Sequence, residues 1–182
     1  MATADLAVPP ADGLRRDFLQ AMSLAACTVA VVTTDGPAGR FGVTVSAMSS
    51  VSADGPAPTL LVCVHHLSPA AAAILANGAF CVNVLRDDQS AVSDAFAGRG
   101  PVPGGDKFAA AAWTPGAVGA PRIAGALAWF DCRLAAGERV GTHHVLFGAV
   151  AAIGTAGPGA PLLYANRGYG TPVPLPQTAL GA

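Results

Sequence analysis

Residues 122–154 read RIAGALAWFDCRLAAGERVGTHHVLFGAVAAIG. Two long apolar segments, Arg122 to Ala136 and Thr142 to Gly154, flank the charged, glycine-bounded turn GERVG. They read as a pair of antiparallel strands. Working outward, CTVAVVTT (Cys27 to Thr34) and FGVTVSAMSSVS (Phe41 to Ser52) form a second hairpin across the turn-rich DGPAGR. TLLVCVHH (Thr59 to His66) and FCVNVLR (Phe80 to Arg86) are further strands, and PLLYANRGYG supplies a last short one. Ser68-Pro69 opens a short helix that runs through Leu75 and stops at Asn77-Gly78, with serine, proline and glycine all at their preferred boundary positions. DDQSAVSDAFAG (Asp87 to Gly98) is another helix closed by glycine. An amphipathic pattern places Leu14, Phe18 and Met22 on one helical face, with Asp12 or Asp17 serving its first turn. Strands linked mostly by short connections, with three small helices, predict a mainly β, closed or nearly closed antiparallel barrel with peripheral helices. The expected division is an N-terminal arm over residues 1–12, a barrel domain over 13–172 and a tail over 173–182.

Composition removes several classes of function. With Lys+Arg 10 against Asp+Glu 11 there is no basic excess for a phosphate backbone, and nucleic acid is not expected as a partner. Charged residues make up only 12%, but no apolar run reaches the ~18 uninterrupted residues a membrane helix needs. No membrane segment and no export signal are expected, so the protein is expected to be cytoplasmic. Cys27, Cys63, Cys81 and Cys132 lie apart in apolar stretches and read as free thiols. No charged residue occurs between Asp54 and Arg86 or between Arg139 and Arg167. Segments this long must be covered by the core, a ligand or another subunit, and a homodimer is expected.

Three motifs fail on their chemistry. Gly100 to Phe108 has the glycine spacing of a phosphate loop, but Asp106 precedes the lysine and Phe108 stands where a metal-binding hydroxyl belongs. No G-x-G-x-x-G follows a strand. His65-His66 and His143-His144 are adjacent pairs; neighbours on a strand face opposite ways, so each pair offers one side chain to a given site, and no metal centre is expected. What remains is the hydroxyl-rich GVTVSAMSSVS, where Thr44, Ser46, Ser50 and Ser52 share one face of a regular strand. That face is either an edge wetted by solvent or a ligand-facing surface. Residues alone leave both readings open, although the Ser68-Pro69 helix start offers a nearby anion site. The glycine- and proline-rich segment 99–121 is long for a connection and is expected to carry function, with a mobile part in 99–116.

The succession AACTVAVVTT, GVTVSAMSSVS, LLVCVHHLSPAAAAIL, FCVNVL, AFAG, DKF, GALAWFDCRL, GTHHVLFGAV and PLLYANRGYG resembles the flavin reductases that serve two-component monooxygenases, over about residues 14 to 170. The resemblance implies an FMN-binding split β-barrel that dimerises, reduces FAD or FMN with NADH or NADPH, and passes reduced flavin to a flavin-dependent monooxygenase. FAD with NADH is the expected pair. It implies that Thr44, Val45, Ser46, Ala47, Met48, Ser49 and Ser50 hold the flavin and that Ser68 lies on its phosphate side. Arg86 and Lys107 are expected to help there, with Phe108 of the DKF segment beside them. His143 is implied to position the nicotinamide, with Arg167 and Tyr169 bordering the same cleft. Thr142 stands where the family usually has an acid before this histidine, and the basic residue often found near Ser68 is missing. Hydride transfer needs two stacked rings at ~3–3.5 Å and exclusion of water, not a tuned acid or base, which suits a chain without a catalytic triad. Two other classes fit a split barrel: a non-catalytic flavin- or haem-binding module, and an oxidase of a pyridoxine-type phosphate. The thin scatter of Lys and Arg argues against the oxidase.

Overall fold

The computed structural model describes residues 12–100 and 102–175. In chain order, helix α1 covers Asp12–Leu24, followed by β1 (Cys27–Thr28), β2 (Ala30–Thr34), β3 (Phe41–Val45), β4 (Met48–Ser52) and β5 (Thr59–His65). Then come α2 (Pro69–Asn77), β6 (Ala79–Val84), α3 (Ser90–Ala97), β7 (Trp113–Pro115) and β8 (Pro121–Ile123). The long strands β9 (Ala128–Val140) and β10 (His143–Thr155) precede the short β11 (Leu163–Ala165) and β12 (Gly168–Gly170). Nearly all of the arm expected over residues 1–12, and the end of the tail, lie outside the described residues. No described helix is long and apolar enough to cross a membrane.

Seven strands form one antiparallel sheet in the order β3-β2-β6-β9-β10-β5-β4. Its two edge strands, β3 and β4, are consecutive in the chain and separated only by Ser46 and Ala47. Val45 from one edge and Leu60, Val62 and Val64 from β5 share a single core with Ala30, Val32, Phe80, Cys132 and Leu146, so the sheet curves around that core. The other face of β2 supplies Val29 and Val31, its flanking residue included, to a second core under α3 with Leu85, Phe96 and Ile123. This two-sided burial explains why every position of β2 and β6 is buried, whereas β5 alternates buried and half-buried positions.

The expected strands are present, with five differences, the first being that PLLYANRGYG forms two strands, β11 and β12. The segment 27–34 breaks at Val29, and 122–136 divides into β8 and β9. The hydroxyl-rich segment 41–52 also breaks, because the chain leaves β2 at Ser46 to join β5 as β4. Thr44 and Ser46 therefore do not share a face with Ser50 and Ser52. The GERVG residues are mostly strand: His143 pairs with Val140, and the turn tightens to Gly141-Thr142, with Gly141 at φ 57°. Segment 99–121 is partly ordered by the β7–β8 hairpin.

Two contacts fix β3 against α3. A Cβ at Gly42 would lie 2.5 Å from Phe96 Cε1, so only glycine permits this approach. Two residues on, Thr44 Oγ1 donates to the Ser93 carbonyl at 2.7 Å. Helix α2 begins at Ser68 and Pro69 and ends at Gly78 (φ 68°), whose N–H donates to the Ile74 carbonyl. The Ser68 hydroxyl makes no capping bond. Behind the sheet, Arg122 is paired with the fully buried Asp131, which also accepts the Ala117 N–H, so segment 99–121 is tied to β9.

Candidate functional site

Three clefts lie along β3. The first, of about 190 Å³, opens between the ends of β3 and β5 and is lined by Val43 to Ala47, Cys63 to His65, and His143. The main chain crosses its floor, where Cys63 N–H donates to the Ala47 carbonyl at 3.1 Å. The second, of about 300 Å³, lies at the start of β3 and of α2, lined by Arg40, Phe41, Gly42, Ser68, Lys107 and Phe108 among others. The third, of about 120 Å³, lies on the α3 side of the same bend and includes Thr44, Ser46, Ser93, Arg99, Tyr164 and Tyr169. Thr44, Val45 and Ser46 thus face two clefts at once, which follows from the break in the strand at Ser46.

His143 enters the first cleft from the start of β10. Its Nδ1 lies 3.1 Å from Thr142 Oγ1, and its ring meets the His65 ring edge-on at 5.0 Å between centroids. Partial burial and then the charge of His65 lower its pKa from the usual histidine value, which favours neutral imidazole. His65 Nδ1 accepts the Leu67 N–H, so its neutral form carries the proton on Nε2. His66 also stacks on His65, at 5.0 Å and 20°, because β5 ends at His65 and strand alternation stops there. Among the described residues, no group of three or more His, Cys, Asp or Glu is arranged to hold a metal.

In the third cleft, the Tyr169 hydroxyl donates to Asp94 Oδ1 at 2.7 Å and lies 2.9 Å from Ser93 Oγ. Burial raises its pKa, with Asp94 acting in the same direction, so the phenol stays protonated. In the second cleft, the Arg40 guanidinium lies 4.0 Å from the Phe108 ring centre, and Lys107 Nζ donates to the Phe96 carbonyl at 3.4 Å.

Of the residues singled out from sequence, Thr44, Val45, Ser46, Ala47 and His143 come together in the first cleft, Ser68, Lys107 and Phe108 in the second, and Tyr169 in the third. Met48 packs on the first core instead. Ser49 is exposed on β4, and Ser50 lines a separate apolar cleft with Phe130 and Val150. Arg167 sits in the β11–β12 turn with φ 61° and lines none of these clefts. Arg86 does not line them either; it lies 3.4 Å from Asp88 and bridges to Pro161. Arg40, His65, Ser93 and Arg99 also line these clefts and were not singled out as flavin or nicotinamide contacts from sequence. Only His65 had a visible signal there, its place in a histidine pair.

The cleft chemistry fits a flavin as substrate. Hydroxyls and main-chain amides around Ser46 and Ala47 suit a neutral polar ring, and the cations of the second cleft suit a phosphoryl end.

Residues 22–172 match the family described as a flavin reductase like domain. The chain is 45% identical over 171 residues to a protein of Methylorubrum extorquens named FMN reductase (NADH), a match that covers 94% of this chain and 82% of the relative. Among solved structures, the styrene monooxygenase flavin reductase of Pseudomonas putida superposes with a TM-score of 0.75 at 31% identity, covering 87% of this chain and 99% of that one. The NADH:FAD oxidoreductase of Streptomyces globisporus superposes with a TM-score of 0.79 at 28% identity, covering 95% and 100%.

Proposed function

Because the chain belongs to the flavin reductase like family, we propose that it transfers a hydride from NADH to a free flavin and releases the reduced flavin to a flavin-dependent monooxygenase. The observation that carries this reading is the row of clefts along β3. A neutral, hydroxyl-bearing seat beside His143, lined by Val43 to Ala47, neighbours along the same strand a cationic cleft that holds Arg40 and Lys107.

The nicotinamide supplies the hydride and the flavin accepts it; the protein supplies placement. Thr44 to Ala47 hold the flavin ring, with β3 kept in place by the Gly42 approach to Phe96 and the Thr44 bond to Ser93. Ser68, Lys107 and Phe108 take its phosphate side. His143, kept neutral, lies beside the nicotinamide, where an uncharged imidazole does not oppose the positive charge that develops as hydride leaves. Tyr169, held by Asp94 and Ser93, closes the α3 side of the bend and helps exclude water. Of the flavins, the name of the more identical relative favours FMN over FAD.

We further propose that the seven-stranded sheet closes into a split barrel across the Ser46-Ala47 link between its edges. The barrel is proposed to dimerise through the apolar face of α1, where Leu14, Phe18 and Met22 are 66%, 61% and 50% exposed. The test of function is the loss of NADH absorbance on adding FMN, FAD or riboflavin. Turnover with free flavin is expected. Flavin binding without NADH oxidation points instead to a non-catalytic flavin module.

A further inference from the structure

We propose that His65 is a second nicotinamide-binding residue, whose Nε2–H donates to the carboxamide oxygen of NADH while His143 accepts a carboxamide N–H. The histidine pair then recognises the amide as a unit and selects for it. This rests on the reading above, which puts the nicotinamide beside His143. Both rings line the cleft at the ends of β3 and β5, and the two residues are partners in the β5–β10 ladder.

The two imidazoles differ in what their Nδ1 atoms do. His65 Nδ1 accepts the Leu67 N–H at 3.2 Å, its one hydrogen bond among the described residues. The partner of one ring nitrogen sets the role of the other, so neutral His65 offers Nε2 as a donor. His143 Nδ1 lies 3.1 Å from Thr142 Oγ1. A threonine hydroxyl accepts a proton from Nδ1 as readily as it gives one, so His143 can offer Nε2 as an acceptor. Burial and then His65 favour its neutral ring, which that role needs. A primary amide has an oxygen that accepts and a nitrogen that donates, and a donor ring beside an acceptor ring is its complement.

The His65 ring is also held before any ligand arrives. His66 stacks on it at 5.0 Å with 20° between planes, and His143 meets it edge-on at the same centroid distance. A donor fixed in this way loses little freedom on binding. Its position separates it from the flavin seat. Cys63 N–H donates to the Ala47 carbonyl, and the last ladder contact of β4 with β5 is Met48 with Val62. His65 lies two residues beyond Cys63 on the same face, about 7 Å along the strand and on the side of His143.

The test is calorimetric binding of NADH and two analogues to the intact protein, His65→Leu and His65→Gln. The reduced acetylpyridine analogue keeps the carbonyl oxygen and has a methyl group in place of the amide nitrogen. The reduced thionicotinamide analogue keeps that nitrogen and has sulfur, a weaker acceptor, in place of the oxygen. His65→Leu is expected to weaken NADH and the acetyl analogue alike, each about tenfold, and the thio analogue by less than about threefold. His65→Gln, which keeps an N–H at the end of its side chain, is expected to restore part of the loss. His143→Ala is expected to cost NADH more than the acetyl analogue, which has no N–H for it to accept. NADH binding unchanged in His65→Leu, a loss that falls on flavin instead, or an equal loss for all three nucleotides overturns the proposal. The last is the result a purely structural role gives. NADH oxidation is measured separately, so a protein with this discrimination but no turnover contradicts the reductase reading and leaves the assignment standing. An intact protein that does not bind NADH overturns both.

Discussion

His143 faces His65 across the β5–β10 ladder as a registered pair, with the two rings edge-on at 5.0 Å. Both belong to the lining of the cleft at the bend after β3. The histidine assigned to the nicotinamide is therefore coupled to a second imidazole that the sequence displayed only as one of an adjacent pair.

The coupling has a sign. Burial and then His65 lower the His143 pKa below the ordinary 6.5, so the unfolded chain takes up a proton at pH values where the folded protein does not. This contribution makes stability fall as pH drops below 6.5 and reach its full cost below the folded pKa. His65→Gln removes the smaller cause and leaves burial, so the His143 titration followed by NMR is expected to move up without passing 6.5. An unmoved titration contradicts the coupling.

His143→Ala is expected to raise the KM for NADH about tenfold while the KM for flavin changes by less than about twofold. Steady-state kinetics with each substrate varied in turn provide the check. An unchanged KM for NADH removes His143 from the nicotinamide side.

Gly42→Ala forces a methyl group to within 2.5 Å of Phe96 Cε1, and the Phe96 ring is 1% exposed and cannot swing away. The expected cost is about 1–3 kcal/mol, with a raised KM for flavin because β3 carries the cleft. Denaturant unfolding measures the first and kinetics the second. Combining Gly42→Ala with Phe96→Leu should recover part of the stability; further loss in the double variant contradicts the steric account.

Arg122→Met leaves the fully buried Asp131 without its cation, although the Ala117 N–H still serves the carboxylate. Removing one partner of such a pair costs about 3–5 kcal/mol, of order 10 °C in Tm for a chain of this size. A melting curve followed by circular dichroism is the check. A shift under about 2 °C shows that the pair does not stabilise the fold.

Most elements were legible from local pattern, because β2, β5, β6 and the boundaries of α2 each carry their signal in a few consecutive residues. The break at Ser46 was not. Its cause is a change of pairing partner from β2 to β5, a tertiary event with no glycine or proline to mark it. The hydroxyl face spanning Thr44 to Ser52 was consequently divided, and Ser50 turned to a different cleft. Arg40 escaped notice for a related reason. It follows the β2–β3 turn as an ordinary exposed cation, and only the fold lays it over Phe108, which is remote in the chain. Arg86 and Arg167 show the converse, since order along the chain placed them near the site while the fold directs them away from the clefts.

The placement of the flavin is the centre of the account, and a crystal structure with FMN bound tests it most directly. The flavin ring is predicted to lie against Thr44 to Ala47 beside His143, with the phosphate reaching Ser68 and Lys107. A ring bound elsewhere, such as the apolar cleft of Ser50, Phe130 and Val150, would contradict it.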